Sequence, residues 1–113
     1  ARLRALFDPG ARLVGIRTRA DGTEFVQTIT VDQWVQYVAR DPRPDWTERA
    51  FAPVVTIQGT LAQIWAEYDF HFGKTFSHCG VDAVQLLKSG DRWIIMSIAD
   101  TYQKENCPAR PEP

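Results

Sequence analysis

The sequence predicts an α+β domain in which long antiparallel strands carry one amphipathic helix. Three stretches carry that expectation. Ser77 to Thr101 reads as two long strands joined at Ser89-Gly90, with apolar residues on both faces. Thr60 to Phe72 alternates strictly, placing Ala62, Ile64, Ala66, Tyr68, Phe70 and Phe72 on a core face. Thr30 and Gln33 form a capping box ahead of Val31, Trp34, Val35 and Val38 at helical spacing. A length of 113 residues supplies one core and no second one.

Taken in order, Leu3, Leu6 and Phe7 share the i, i+3, i+4 spacing of a helical stripe, which Asp8-Pro9-Gly10 stops. So short a helix is marginal alone, so the stripe reads as the end of a longer, truncated N-terminal helix. Ala11 to Arg19 forms a strand that turns at Asp21-Gly22 and returns through Phe25 to Ile29. The helix begun at Thr30 ends before Pro42. Trp46 to Gln58 is a further strand, which Pro53 confines to an edge or a bulge. Residues 1–102 thus read as the domain, and 103–113, with three prolines in KENCPARPEP, as a frayed or disordered tail.

Parity along the strands decides which side chains meet. With Ser89-Gly90 as a two-residue turn, Lys88 pairs with Asp91, Ala83 with Met96, Val81 with Ile98 and Cys79 with Asp100. One face then carries Cys79, Val81, Ala83, Ile94, Met96, Ile98 and Asp100. The other carries His78, Asp82, Val84, Leu86, Trp93, Ile95 and Ser97. With Gly73-Lys74 as the preceding turn, Tyr68 falls opposite Cys79 and Asp69 opposite His78.

Composition excludes several classes of function. A formal net charge of −1, with both signs interspersed, leaves no footprint for nucleic acid or an anionic membrane. No apolar run spans a bilayer. Cys79 and Cys107 fit no metal spacing and read as two reduced thiols, which suits a cytoplasmic location. Asp69, His71 and His78 read as structural polar pairs rather than metal ligands, and no cofactor motif is present.

The order of elements, the Phe-Asp-Pro-Gly step and the closing Gly-x-x-Trp-x-Ile hairpin resemble the nuclear-transport-factor-2-like superfamily. Within it, AEYDFHFGKTFSHCGVDAVQLLKSGDRWIIMSIADT is similar to the bacterial branch labelled lumazine-binding, related to SnoaL-like polyketide cyclases and ketosteroid isomerases. The resemblance implies a cystatin-like cone, a curved antiparallel sheet wrapped around helices with a pocket at its open end. It also implies a homodimer packed through the convex sheet face, which here would carry Trp65, Val84, Leu86, Trp93 and Ile95. The position aligned with the buried acid of the isomerases is Ala83, with Asp82 directed to the other face.

Tyr68, Cys79 and Asp100 form a polar cluster on the face taken as concave. A desolvated Asp100 beside Tyr68 could act as acid or base, so these two are the catalytic candidates. The competing reading makes Asp100 a strand-end cap and leaves Tyr68 and Cys79 as core. Trp34, Phe70, Cys79, Ala83, Met96 and Ile98 are the candidate ligand-binding residues. The leading expectation is a small-molecule-binding cone for an apolar or aromatic ligand, with acid/base chemistry of the isomerase or cyclase kind. The alternative is a non-catalytic dimerisation or interaction module whose cone is filled by its own side chains.

Overall fold

The computed structural model describes residues 3–42 and 45–113. The start of the expected N-terminal helix, and Arg43-Pro44 of the connection after the main helix, lie outside the described residues. A 3-10 turn at Arg4–Leu6 leads into β1 (Phe7–Thr18), β2 (Glu24–Thr30), α1 (Val31–Arg40), β3 (Trp46–Gln58), β4 (Leu61–Phe72), β5 (Thr75–Ser89) and β6 (Arg92–Asp100). All six strands form one sheet in the order β2-β1-β6-β5-β4-β3. β1 runs parallel to β6 and every other pair is antiparallel, so the sheet is mixed rather than wholly antiparallel. A parallel neighbour needs a long connection, and the whole run from β2 to β5 provides it.

The stripe of Leu3, Leu6 and Phe7 contracts to the 3-10 turn, and Phe7 already belongs to β1. Asp8-Pro9-Gly10 is absorbed as an irregularity between Phe7 and Arg12 in the β1–β6 ladder. The capping box at α1 forms as its spacing requires. The Gln33 amide donates to Thr30 Oγ1 at 3.1 Å, and the Thr30 amide donates to Gln33 Oε1 at 2.8 Å. α1 lies on β1 and β2, closing a small core of Phe7, Ala11 and Val31 with Leu13, Trp34, Val35, Ile95 and Ile98 around it. Phe7 and Trp34 meet edge to face at 5.8 Å. The helix therefore covers one half of the sheet and leaves the β3–β5 half open on the same side. Among the described residues no helix is long and apolar enough to cross a membrane.

Two single-residue bulges change the expected parity of β5. The β4–β5 turn forms with Phe72 opposite Thr75, but Ser77 is an extra residue, so His78 faces Phe70 and Gly80 faces Tyr68. On the other side the loop is Gly90-Asp91, with Gly90 at a φ of 66°, and Ser89 pairs with Arg92. Met96 is a second extra residue, after which Val84 pairs with Ile98 and Asp82 with Asp100. His78, Asp82, Val84 and Leu86 consequently turn to the helix side, and Cys79, Val81 and Ala83 to the outer side, the reverse of the parity expected from regular hairpins.

The tail is likewise ordered by contacts that its composition hides. Cys107 is bonded to Cys79, so neither cysteine is a free thiol. Gln103 continues the β6 edge, exchanging both backbone hydrogen bonds with Cys79 at 2.9 Å. Arg110 donates to Glu67 Oε1 at 2.7 Å and lies 3.6 Å above the Phe51 ring. A disulfide closing a loop of 28 residues restricts the unfolded chain, on the order of 3 kcal/mol of stabilisation. Cys107→Ser is therefore expected to lower the melting temperature by roughly 10 °C and to open Lys104 to trypsin. An unchanged melt with a protected tail would show that the tail holds without the bond.

Candidate functional site

Between α1 and the uncovered β3–β5 half of the sheet lies an open cleft of about 980 Å³. Strand alternation supplies its walls. Trp46 and Glu48 come from β3, and Tyr68, Phe70 and Phe72 from β4, each set two residues apart and so on one face. Trp34 and Tyr37 enter from α1, and Arg17, His78, Asp100 and Tyr102 complete the far side. The aromatic rings support one another. Trp46 meets Phe70 at 5.6 Å and Phe72 at 6.1 Å, both edge to face, and Tyr37 bridges from the helix to Trp46 at 6.0 Å. His78 is stacked between Phe70 at 5.0 Å and Tyr102 at 4.0 Å.

The floor is acidic. The Glu48 carboxyl shares a hydrogen bond with Asp82, and Asp100 adds its charge to both. Burial, then repulsion from Asp82 and Asp100, pushes Glu48 up to about 8. Burial and Asp100 push Asp82 up to about 6, against the opposing effect of the bond from Glu48. The two titrate as a pair, and near neutral pH the pair holds one proton, on Glu48, donated toward Asp82. Although Glu48 as a residue is exposed to the cleft, its carboxyl end is the part that loses water. Asp100 pairs with Arg17, whose Nη1 lies 2.8 Å from its Oδ1. Gly15 stands directly beside Asp100 in the β1–β6 ladder, and a Cβ there would fall 2.5 Å from the guanidinium carbon of Arg17. The bare backbone at Gly15 is what lets Arg17 fold back onto Asp100.

Tyr68 is buried and its hydroxyl donates to the Thr101 carbonyl at 2.5 Å. Burial, then the charges of Asp100, Asp82 and Glu48, raise its pKa, so the phenol stays protonated. The Thr101 carbonyl occupies the place of a side chain at Gly80, where a Cβ would overlap it. His78 is lowered to about 4, by burial first and then by Arg17 and Lys104, so its imidazole is neutral at neutral pH.

Of the residues singled out from sequence, Trp34, Tyr68, Phe70 and Asp100 line this cleft, and Ile98 lies beside Trp34 and Asp100 in a smaller recess next to it. Cys79 and Ala83 do not. The Ser77 bulge turns both to the outer face, where Cys79 is bonded to Cys107 and Ala83 pairs with Trp65. Met96 is the bulged residue of β6 and does not reach the cleft. Asp82, assigned by regular pairing to the opposite face, takes the helix-side orientation expected of Ala83 and lies behind Glu48, to which it is bonded, without itself lining the cleft. Asp69 does not pair with His78 either. Arg49 holds it with two bonds, at 2.9 and 2.6 Å, on the outer face, and keeps its carboxyl below the usual range. Glu48 and Arg17 escaped the sequence reading, although the alternation of Trp46 with Glu48 would place that carboxyl beside an aromatic wall.

The architecture recurs in solved structures. The chain has the nuclear-transport-factor-2-like, cystatin-like fold. It is similar to a nuclear-transport-factor-2-like protein of unknown function from Shewanella baltica, with 18% identity, a TM-score of 0.61, and coverage of 90% of this chain and 76% of that one. A protein of unknown function with a cystatin-like fold from Nostoc punctiforme matches at 11% identity and a TM-score of 0.66, covering 89% and 74%. A further nuclear-transport-factor-2-like protein of unknown function, from Silicibacter pomeroyi, matches at 20% identity and a TM-score of 0.62, covering 89% and 76%. No family model and no curated protein matches the chain.

Within this fold the carboxyl pair makes stability depend on pH in a definite direction. Glu48 keeps its proton in the folded chain up to about pH 8, and the unfolded chain releases it near the ordinary value of 4.5, so stability is lost as pH rises toward 8. Asp82 acts in the same direction up to about 6. His78 acts oppositely between its ordinary value of 6.5 and about 4, since the unfolded chain takes up the proton that the folded chain refuses. The interval from 6.5 to 8 therefore isolates Glu48. The melting temperature should fall across it, by an amount moderated by water at the exposed side chain. Glu48→Gln should flatten the profile, and an equal slope in the variant would assign the effect elsewhere.

Proposed function

We propose that the cleft binds a small apolar or aromatic molecule and that the Glu48–Asp82 pair exchanges a proton with it. One observation carries this reading, namely an open space of about 980 Å³ walled by Trp34, Trp46, Phe70 and Tyr102 and floored by Glu48 and Asp100, with Asp82 bonded to Glu48. Small-molecule sites are of this kind, mostly apolar with a few convergent polar groups. A cone filled by its own side chains would leave no such space, so the volume favours the binding reading over a plugged interaction module. Asp100 and Tyr68 sit beside the pair with their polar atoms engaged by Arg17 and Thr101. In this reading they shape the floor, and the transferable proton belongs to Glu48 and Asp82. The shared proton suits proton transfer at a carbon next to a carbonyl, the step common to isomerases and cyclases.

The disulfide moves the expected location from the cytoplasm to an oxidising compartment. A homodimer through the outer face is proposed on a smaller patch than the sequence suggests. Val84, Leu86 and Ile95 turn inward, leaving Trp65 at 53% exposure with Val54 and Leu61. The tail crosses the adjoining region at Phe51 and Glu67.

Naphthol is expected to raise the melting temperature and quench tryptophan fluorescence, with Trp46→Ala weakening binding roughly tenfold. In a screen of enolisable aromatic ketones, deuterium uptake from solvent should fall about a hundredfold in Asp82→Asn. Binding without any exchange would leave a carrier rather than an enzyme. For the dimer, light scattering should give twice the mass of the 12.9 kDa chain, and Trp65→Lys should halve it. A wild-type monomer at all concentrations would remove that proposal.

A further inference from the structure

The charges facing the cleft are unevenly distributed. On β1 and β6, Arg17 and Asp100 are paired with each other. Arg40 stands at the rim in the last turn of α1, and Lys104 lies over Tyr102 at 5.8 Å, near the His78 end. His78 itself is uncharged and Tyr68 keeps its proton. That leaves Glu48, with Asp82 behind it, as a carboxyl pair with no basic side chain bonded to it among the described residues. The proton on Glu48 is what limits their repulsion. Trp46 precedes Glu48 by two residues, so their Cα atoms stand about 7 Å apart along β3 and both side chains line the cleft. An aromatic face attracts a cation, and a carboxyl pair attracts it further where water is partly excluded. A neutral or anionic guest leaves the repulsion in place, whereas a cation can take over the role of the proton. Among the described residues no three His, Cys, Asp or Glu groups converge to hold a metal ion, and the aromatic walls favour an organic one.

We propose that the cleft selects organic cations, protonated amines on a flat aromatic body, with the ammonium group at the Glu48–Asp82 pair and the ring against Trp46. This rests on the reading of the cleft as a ligand site and narrows its ligand class. Binding near neutral pH then displaces the proton held by Glu48.

The test is calorimetry with three probes of one shape and different charge, namely tryptamine, tryptophol and indole acetate, at pH 7 in two buffers of different ionisation enthalpy. Tryptamine is expected to bind roughly tenfold tighter than tryptophol, with indole acetate weakest, and up to about one proton should be released per tryptamine bound. Added salt should shrink the preference. Asp82→Asn should bring the tryptamine and tryptophol affinities within about twofold, and Glu48→Gln should abolish proton release, with melting curves showing that both variants fold. Equal or tighter binding of tryptophol or indole acetate would overturn the cation preference while leaving a ligand-binding cleft. Failure of every indole probe where naphthol still binds would overturn the inference alone, and failure of naphthol as well would overturn the reading beneath it.

Discussion

The register of β5 is the constraint on which the rest of the molecule depends. This strand is hydrogen-bonded to β4 on one side and β6 on the other, and on each side one extra residue, Ser77 or Met96, interrupts the ladder. Because side chains alternate with a period of two, a single inserted residue exchanges the two faces of everything beyond it. The two bulges are mutually consistent. Both bring Asp82 inward, beside Asp100 on β6 and in reach of Glu48 on β3, and both send Cys79 outward. With regular hairpins Cys79 and Ala83 would face the helix side and Asp82 would face outward.

The outward position of Cys79 then organises the end of the chain. Gln103 extends β6 along β5, Cys107 bonds to Cys79, and Arg110 reaches Glu67 and Phe51 on the outer face. The same segment touches the cleft. Thr101 accepts the Tyr68 hydroxyl on its carbonyl and the Val81 amide on its Oγ1, and Tyr102 stacks on His78. Residues 101–110 thus join the two faces of the sheet, so an anchor on the outer face also holds one wall of the cleft. The missing side chain at Gly80 is what allows Thr101 to lie so close.

Inside the cleft, neutral and charged groups are sorted by their surroundings. Tyr68 and His78 are held in their neutral forms, chiefly by burial, and Arg17 is committed to Asp100. The carboxyl pair is the exception, since burial and like charge oppose ionisation and, among the described residues, no bonded basic partner relieves it. Aromatic walls reinforce the effect by limiting water near the floor. An arrangement of this kind costs stability in the empty protein, and perturbed groups of this kind concentrate where chemistry or binding takes place.

Local patterns were legible wherever the deciding interaction is itself local. The capping box at Thr30 and Gln33, the helical spacing of Val31, Trp34 and Val35, and the alternation that lines up Tyr68, Phe70 and Phe72 needed only neighbours in the chain. The resemblance in the order of elements carried the fold, and Trp34, Phe70, Tyr68 and Asp100 were placed together because each lies on a segment of regular period. What the sequence could not determine depends on pairing between distant segments. A bulge has no composition of its own. Ser77 and Met96 are ordinary strand residues whose extra count shows only when two ladders must both close, so Ala83 and Asp82 changed faces and Cys79 left the site. The parallel β1–β6 pairing, the bond from Cys107 in a Pro-rich tail and the approach of Glu48 to Asp82 have the same origin. Each joins residues many positions apart, and its free energy exists only once the tertiary structure has brought them together.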